Sequence, residues 1–311
     1  GPPASGPGLR VVVLGSAAGG GVPQWNCRCR VCTLAWAGDP RVARRTQSSL
    51  AVSADGERWM LVNCAPEVLA QIGATPALQP RWQAGGVGRD SPIGAVLVTN
   101  GDVDHVAGLL SLRESQPFDL YATPEIHAAL RQSRIFEVLA EERVRRLPLT
   151  FEHPFEPLPG LEVRVFPVPG KAALYLEGPA PEIGALGEAT VGVELRGGGR
   201  SLFYVPGCAR LDAALAERLR GAPALLFDGT LWDDREMIEA GLGVKTGRRM
   251  GHMPIAGEGG SLEAFAELEI ERKVFVHVNN SNPILIEDSP ERTAAAAAGW
   301  DVAHDGLEIR L

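Results

Sequence analysis

Residues 99–110 read TNGDVDHVAGLL and follow directly on the apolar run of residues 93–98. Val96, Leu97 and Val98 show no polar alternation, which predicts a strand buried on both faces, as in a parallel sheet. Residues 106–112 turn apolar again and are expected to open a helix packed on that strand. Asn100, Asp102, Asp104 and His105 then stand where the carboxyl end of a strand meets a helix, the place where α/β folds hold ligands. An adjacent Asp-His pair there points to a metal. One of the two aspartates is expected to cap the helix, but capping accounts for neither Asn100 nor His105.

Outward from this stretch, strands are expected at residues 9–14, 48–54, 58–63, 119–121, 161–167, 172–176, 190–195, 201–205, 224–227 and 273–276, with closing strands at Val302 and 307–309. Helices are expected over 66–72, 125–130, 135–142, 211–219, 262–268 and 290–298. The glycine-rich residues 15–21 lack the Lys-Ser/Thr of a phosphate loop, and Pro23 and Trp25 stand where its helix would begin. A tight turn with backbone against backbone is the better reading. Residues 84–92 and the basic, glycine-rich 241–251 read as loops. Hairpins in both halves with helices between them predict two sheets covered by helices on both outer faces, a single α/β domain over residues 9–311. Residues 1–8 have no periodicity and are expected to be a disordered tail or an expression remnant.

The chain has 311 residues, 45% hydrophobic and 22% charged, so it can bury a large core. Its net charge of −8 and the lack of a basic block argue against nucleic acid as a partner. No apolar run approaches the roughly 20 residues of a membrane helix, and no signal-peptide pattern is present. The expected location is the cytoplasm, without membrane insertion.

Of six histidines, His105, His252 and His277 follow apolar or glycine-rich runs, whereas His127, His153 and His304 look peripheral. Asp104-His105, Asp228 and His277 each stand at the end of a buried strand. One carboxylate with two imidazoles is the facial set that leaves open positions on non-haem Fe(II), and the same donors hold catalytic zinc. Spacing alone does not choose between them. Three of the five cysteines fall in Cys27-x-Cys29-x-x-Cys32. An odd, clustered set argues against a disulfide framework and for a structural zinc that takes its fourth ligand from elsewhere. Cys64 and Cys208 read as core residues.

These residues carry a resemblance. Residues 99–105 are laid out like the Thr-His-x-His-x-Asp-His signature of metallo-β-lactamase-fold hydrolases, with two histidines missing. With the glycine turn and cysteine cluster, DGTLW at 228–232, TGRRMGH at 246–252, HVNNSNPIL at 277–285 and SPER at 289–292, the chain resembles the pyrroloquinoline quinone (PQQ) biosynthesis protein B family over residues 9–311. The resemblance implies a metallo-β-lactamase-like αββα sandwich of two mixed sheets. It also implies an empty first metal site. The histidines of the hydrolases fall on Asn100 and Asp102 and near Lys171, and their bridging aspartate falls near Gly207. A weak ligand, a cation and a missing side chain make hydrolysis by two metals about 3.5–4 Å apart unavailable.

The resemblance leaves Asp104, His105 and His277 to hold Fe(II), with O2 as co-substrate. The activity it implies is hydroxylation of the tyrosine ring in the Glu-Tyr unit excised from the PqqA peptide, alongside other PQQ biosynthesis proteins. By the same resemblance His252 transfers a proton or orients substrate. Asp228 would accept a hydrogen bond from a ligating imidazole, or be a plain strand-end carboxylate. Lys245, Arg248 and Arg249 would clamp the substrate carboxylates, or form a solvated basic loop. Asn280 falls where hydrolytic relatives place a histidine, which makes it a candidate fourth zinc ligand beside Cys27, Cys29 and Cys32. Two other readings stay open: a mononuclear zinc hydrolase, and a soluble carrier that moves PQQ or a precursor toward the periplasm.

Overall fold

Period-two alternation sorts the strand residues into separate layers of core. The computed structural model describes residues 8–82, 85–86, 88–171, 187 and 190–311. The tail at 1–7, the strand expected at 172–176 and residues 84 and 87 of the loop expected at 84–92 lie outside the described residues. Fourteen strands are present among those described: β1 (Arg10–Gly15), β2 (Ser49–Ser53), β3 (Trp59–Val62), β4 (Ile93–Leu97), β5 (Phe118–Ala122), β6 (Val144–Pro148), β7 (Phe155–Leu158), β8 (Leu161–Pro167), β9 (Val191–Gly197), β10 (Arg200–Val205), β11 (Ala224–Asp228), β12 (Lys273–Val276), β13 (Trp300–Val302) and β14 (Glu308–Arg310). They form two seven-stranded sheets, ordered β14-β1-β2-β3-β4-β5-β6 and β13-β12-β11-β10-β9-β8-β7.

Each sheet is mixed. Pairing is antiparallel from β14 through β3 and from β7 through β10, and parallel from β3 through β6 and from β10 through β13. Val11, Val13, Ala95, Leu97, Leu226, Val274 and Val276 face the layer between the sheets. Their neighbours Val12, Leu14, Val96 and Val98 face outward onto Leu109, Ile126 and Leu130. On the other outer face Leu225, Phe227 and Phe275 pack on Leu215, Leu219, Phe265 and Trp300. Successive residues of one strand therefore serve two cores. The result is an αββα sandwich, the architecture expected from the sequence.

Close backbone approach explains two glycines. A Cβ on Gly15 would lie 1.9 Å from the Gln47 carbonyl oxygen, and one on Gly108 would lie 2.1 Å from that of Ala65. The first supports reading residues 15–21 as a structural turn. The second lets the segment after His105 lie against the chain beyond β3, where the Gly108 N–H donates to the Cys64 carbonyl at 3.0 Å.

Some expected elements differ. The helix expected at 106–112 starts earlier, as an α-turn over Val103–Val106, and tightens into a 3-10 helix over Ala107–Leu112. Asp102 occupies the N-cap position, but its side chain makes no capping bond. The helical patch at 135–142 is a 3-10 turn, Arg134–Val138, and the helix at 262–268 shortens to Ser261–Ala264. Strands β6 and β7 escape the pattern because each ends its sheet. Arg145 and Arg146 sit mid-strand in β6 and a proline in β7, as edge strands tolerate.

Candidate metal centres

The parallel strands of both sheets end on the same side of the sandwich, and short bridges tie those ends together. Ala17 pairs with Val278, and Asn100 with Thr190. The chain leaving β4 carries Asn100, Asp104 and His105; β11 ends in Asp228, and β12 runs straight into His277. His277 has φ +54°, in the left-handed region. A non-glycine residue held there carries strain of order 1–3 kcal/mol, a pattern found at functional positions.

Asp104 Oδ2 lies 3.2 Å from His277 Nε2 and 3.5 Å from His105 Nε2. One ligand atom from each of the three lies within 4.8 Å of the others. The far side of His105 is occupied: its Nδ1 is 2.6 Å from Asn100 Oδ1, an oxygen that also accepts the Asp102 N–H at 2.9 Å. An amide oxygen can only accept, so Nδ1 carries the proton and Nε2 presents a lone pair. That Nε2 is buried and makes no hydrogen bond. A bare buried nitrogen facing a carboxylate and a second imidazole is the donor set that a divalent cation completes. Asn100 thus orients the His105 ring.

Charge follows the same geometry. Burial works to raise the Asp104 carboxyl, but the imidazoles of His105 and His277 beside it outweigh that and hold it well below the usual carboxylate range. Burial pushes His105 down. It would also lower His277, but the Asp104 hydrogen bond and charge, with the Asp228 charge behind them, raise it instead.

A second constellation shares His277. Asp228, completely buried, accepts from His252 Nδ1 at 2.6 Å, the Cys208 N–H at 2.9 Å, and Thr230 through its N–H at 3.0 Å and hydroxyl at 2.6 Å. Burial opposes ionisation of Asp228, but the charge and hydrogen bond of His252 prevail and lower it. Asp228, His252 and His277 also bring ligand atoms within 4.8 Å of one another. Their hydrogen bonds already link them, and the His252 and His277 rings stack with centroids 5.2 Å apart.

Above these groups opens a cavity of about 720 Å³, lined among others by Asp102, Asp104, Lys171, Thr230, Met237, Val244, Lys245, Met250, His252, His277 and Asn279. Among the described residues, Lys171 and Lys245 are the cations that line it. Arg248 and Arg249 lie outside that lining, their backbone N–H groups held by Asp234 at 2.9 Å and Thr246 at 3.1 Å. Gly207 adjoins the site: a Cβ there would lie 3.7 Å from His252 Cε1. His127 is buried elsewhere, with Nε2 on the Leu147 carbonyl at 2.8 Å.

The thiols gather on the other side of the His277 loop. Cys27, Cys29 and Cys32 bring their sulfurs within 4.8 Å of one another at the start of the helix Arg30–Trp36. Asn280 closes the group from the opposite direction, with Oδ1 3.8 Å from Cys27 Sγ and its carbonyl 3.4 Å from Cys29 Sγ. Burial and the neighbouring thiols push Cys32 up to about 12 and also raise Cys29. Ionising three sulfurs this close together would need a cation between them. Cys64 and Cys208 are buried apart from the cluster.

The contact that sequence reading passed over is Thr230. Its hydroxyl lies 2.8 Å from His277 Nδ1, 2.6 Å from Asp228 Oδ1 and 3.2 Å from His252 Nδ1. Its place two residues beyond a strand-end aspartate was the available signal. Among the described residues, no helix is long and apolar enough to cross a membrane.

The sequence profile of the Beta-lactamase superfamily domain matches residues 58–278. "Coenzyme PQQ synthesis protein B" of Methylorubrum populi is 58% identical over 97% of this chain and 100% of its own length. The protein of the same name from Methylobacterium nodulans is 59% identical over the same shares. The crystal structure of Zn(2+)-bound PqqB from Methylobacterium extorquens superposes with a TM-score of 0.94 at 59% identity, covering 97% of this chain and 100% of that one. A diphosphatase of the PhnP family, 22% identical with a TM-score of 0.68 over 98% of this chain and 97% of its own, shares the fold.

Proposed function

The chain belongs to the coenzyme PQQ synthesis protein B family of the Beta-lactamase superfamily, and we propose that within PQQ synthesis it acts as a non-haem iron oxygenase that hydroxylates the tyrosine ring of a Glu-Tyr unit. The observation that carries this reading is the pairing of His105 with Asn100. Asn100 Oδ1 is spent on His105 Nδ1 at 2.6 Å, and the opposite nitrogen is left bare beside Asp104 and His277. One metal fits this donor set. A second metal beside it would need ligands where Asn100, Lys171 and Gly207 stand.

Fe(II) held by Asp104, His105 and His277 would supply the activation of O2, one oxygen atom going to the ring as hydroxyl and the other to water with two protons and two electrons from an external reductant. The chain does the rest. Met237, Val244 and Met250 give the cavity an apolar wall against which a phenol ring can lie. His252, its Nδ1 proton on Asp228, turns Nε2 outward to take the phenolic proton or fix the hydroxyl. Lys245 lines the same cavity and takes a substrate carboxylate. Cys27, Cys29 and Cys32, with Asn280 beside them, would hold a structural zinc.

The test is oxygen uptake by the Fe(II)-loaded protein with a Glu-Tyr peptide and a two-electron reductant such as ascorbate. Uptake coupled to ring hydroxylation, absent without oxygen and abolished in His105→Ala, is the expected result. A mononuclear zinc hydrolase is the second reading, favoured by the Zn(2+)-bound relative and by the tighter binding of zinc than Fe(II) to such ligands. Turnover by the zinc form under nitrogen would establish it and sink the oxygenase. Tight PQQ binding that survives His105→Ala, without turnover of the peptide, would favour a carrier instead.

A further inference from the structure

His105 and His277 are oriented by different means. A neutral amide holds His105, whereas His277 reaches the hydroxyl of Thr230, and Thr230 reaches the buried carboxylate of Asp228. We propose that Thr230 is a positioning residue, which passes the hydrogen-bonding demand of Asp228 to His277 and so fixes the tautomer and direction of that imidazole toward a metal. The inference rests on the metal reading of Asp104, His105 and His277, but not on which metal binds or what reaction follows.

Protons are fewer than acceptors around Thr230. Thr230 Oγ1 has four polar neighbours: Asp228 Oδ1 at 2.6 Å, His277 Nδ1 at 2.8 Å, the His277 carbonyl at 2.9 Å and His252 Nδ1 at 3.2 Å. The hydroxyl owns one proton. Asp228 is ionised and holds the shortest contact, so the proton goes there. If the proton pointed at His277 Nδ1 instead, two oxygens 2.6 Å apart would face each other with no hydrogen between them.

His252 cannot fill that gap, because its Nδ1 proton serves the other carboxylate oxygen, Oδ2, at 2.6 Å. With its proton committed to Asp228, Thr230 can only accept from His277. Nδ1 must therefore keep its proton, and Nε2, 3.2 Å from Asp104, is the nitrogen that gives its own up to a cation. One carboxylate sets two imidazoles, His252 directly and His277 through a hydroxyl.

Such outer contacts are worth about 10–100-fold in metal affinity. Thr230→Val keeps the shape and removes the hydroxyl; Thr230→Ser keeps the hydroxyl and removes a methyl. Co(II) affinity is measured by competition with a chromophoric chelator, on protein whose thiol cluster already holds zinc. The expected result is a loss of about 10–100-fold for Thr230→Val, recovery of most of it in Thr230→Ser, and a larger loss in His105→Ala.

The wild-type protein gives a second measurement that depends on no variant folding. Nitrogen-15 imidazole spectra in alkaline buffer, before Co(II) is added, should show His277 protonated on Nδ1. A Thr230→Val affinity equal to wild type, with His105→Ala impaired, overturns the relay and spares the metal site. A His277 tautomer protonated on Nε2 overturns it too. Unchanged affinity in His105→Ala removes the metal reading itself, and the relay with it.

Discussion

Cys27, Cys29 and Cys32 come from one loop and the first turn of one helix, while Asp104 and His277 meet across 173 residues and two sheets. The first set can assemble as soon as its own loop closes on a cation. The second exists only when the chain beyond β4 in one sheet and beyond β12 in the other has been brought together at the end of a finished sandwich. Their settings differ in the same sense. The thiols turn inward under Asn280, whereas Asp104 and His277 line a cavity of about 720 Å³ with room for a ligand. A local, enclosed cluster of soft donors suits architecture, and a non-local cluster of nitrogen and oxygen under a cavity suits reaction. The His277–Asn280 segment serves both.

If that division is right, the largest effects separate by kind. Cys32→Ser should lose one equivalent of bound metal and several kcal/mol of stability, roughly 10 °C in Tm. His105→Ala should lose the other equivalent and all oxygen uptake with a smaller fall in Tm, about 5 °C, the cost of one buried ring and its hydrogen bond to Asn100. Metal analysis and thermal melts on the two variants decide it. A stable Cys32→Ser beside an unstable His105→Ala would reverse the assignment of roles.

A smaller effect probes the segment that joins the two regions. Glu236 accepts from Ser281 Oγ at 2.6 Å and from the Trp232 N–H at 2.9 Å, and Ser281 follows Asn280 directly. Burial pushes its carboxyl from 4.5 up to about 7. The folded state therefore keeps a proton that the unfolded chain releases, so stability falls as pH rises from 4.5 to 7 and levels off above. The whole span is worth roughly 3 kcal/mol. Melts across this range should show Glu236→Gln gaining on wild type by several degrees as pH rises. A constant difference between the two proteins would mean that folding does not raise the Glu236 carboxyl.

The comparison also marks what sequence reading could reach. The strands under the site, β4, β11 and β12, are continuous apolar runs, because helices and the facing sheet bury both their faces. Edge strands β6 and β7 have one neighbour each and carry charge or proline, so they left no pattern. Asp104, His105, His277 and the three cysteines stand out by residue type at strand ends or in a tight spacing. Thr230 does not, since a threonine after a strand is unremarkable until its hydroxyl is seen among four polar atoms. Asn100 reads in the sequence only as a lost ligand. Its hydrogen bond to His105 is a fact of distance, set by how the chain turns after β4.

The smallest effect concerns recognition, which a reactive site needs and an architectural one does not. Three cations, Lys245, Arg248 and Arg249, share one loop, but only Lys245 lines the cavity among them. Arg248 and Arg249 are tied by their backbone to Asp234, upstream of the loop, and to Thr246 within it. A single solvent-accessible charge contact to a carboxylate is worth about 1 kcal/mol. Lys245→Ala should therefore raise KM for a Glu-Tyr peptide about fivefold, with little change in kcat, because the contact is equal in ground and transition states. Arg248→Ala and Arg249→Ala should each stay within about twofold of wild type. If the arginine variants raise KM and the lysine variant does not, the substrate carboxylates lie outside this cavity. The pairing of cavity with chemistry, on which the contrast with the thiol cluster depends, would then have to be redrawn.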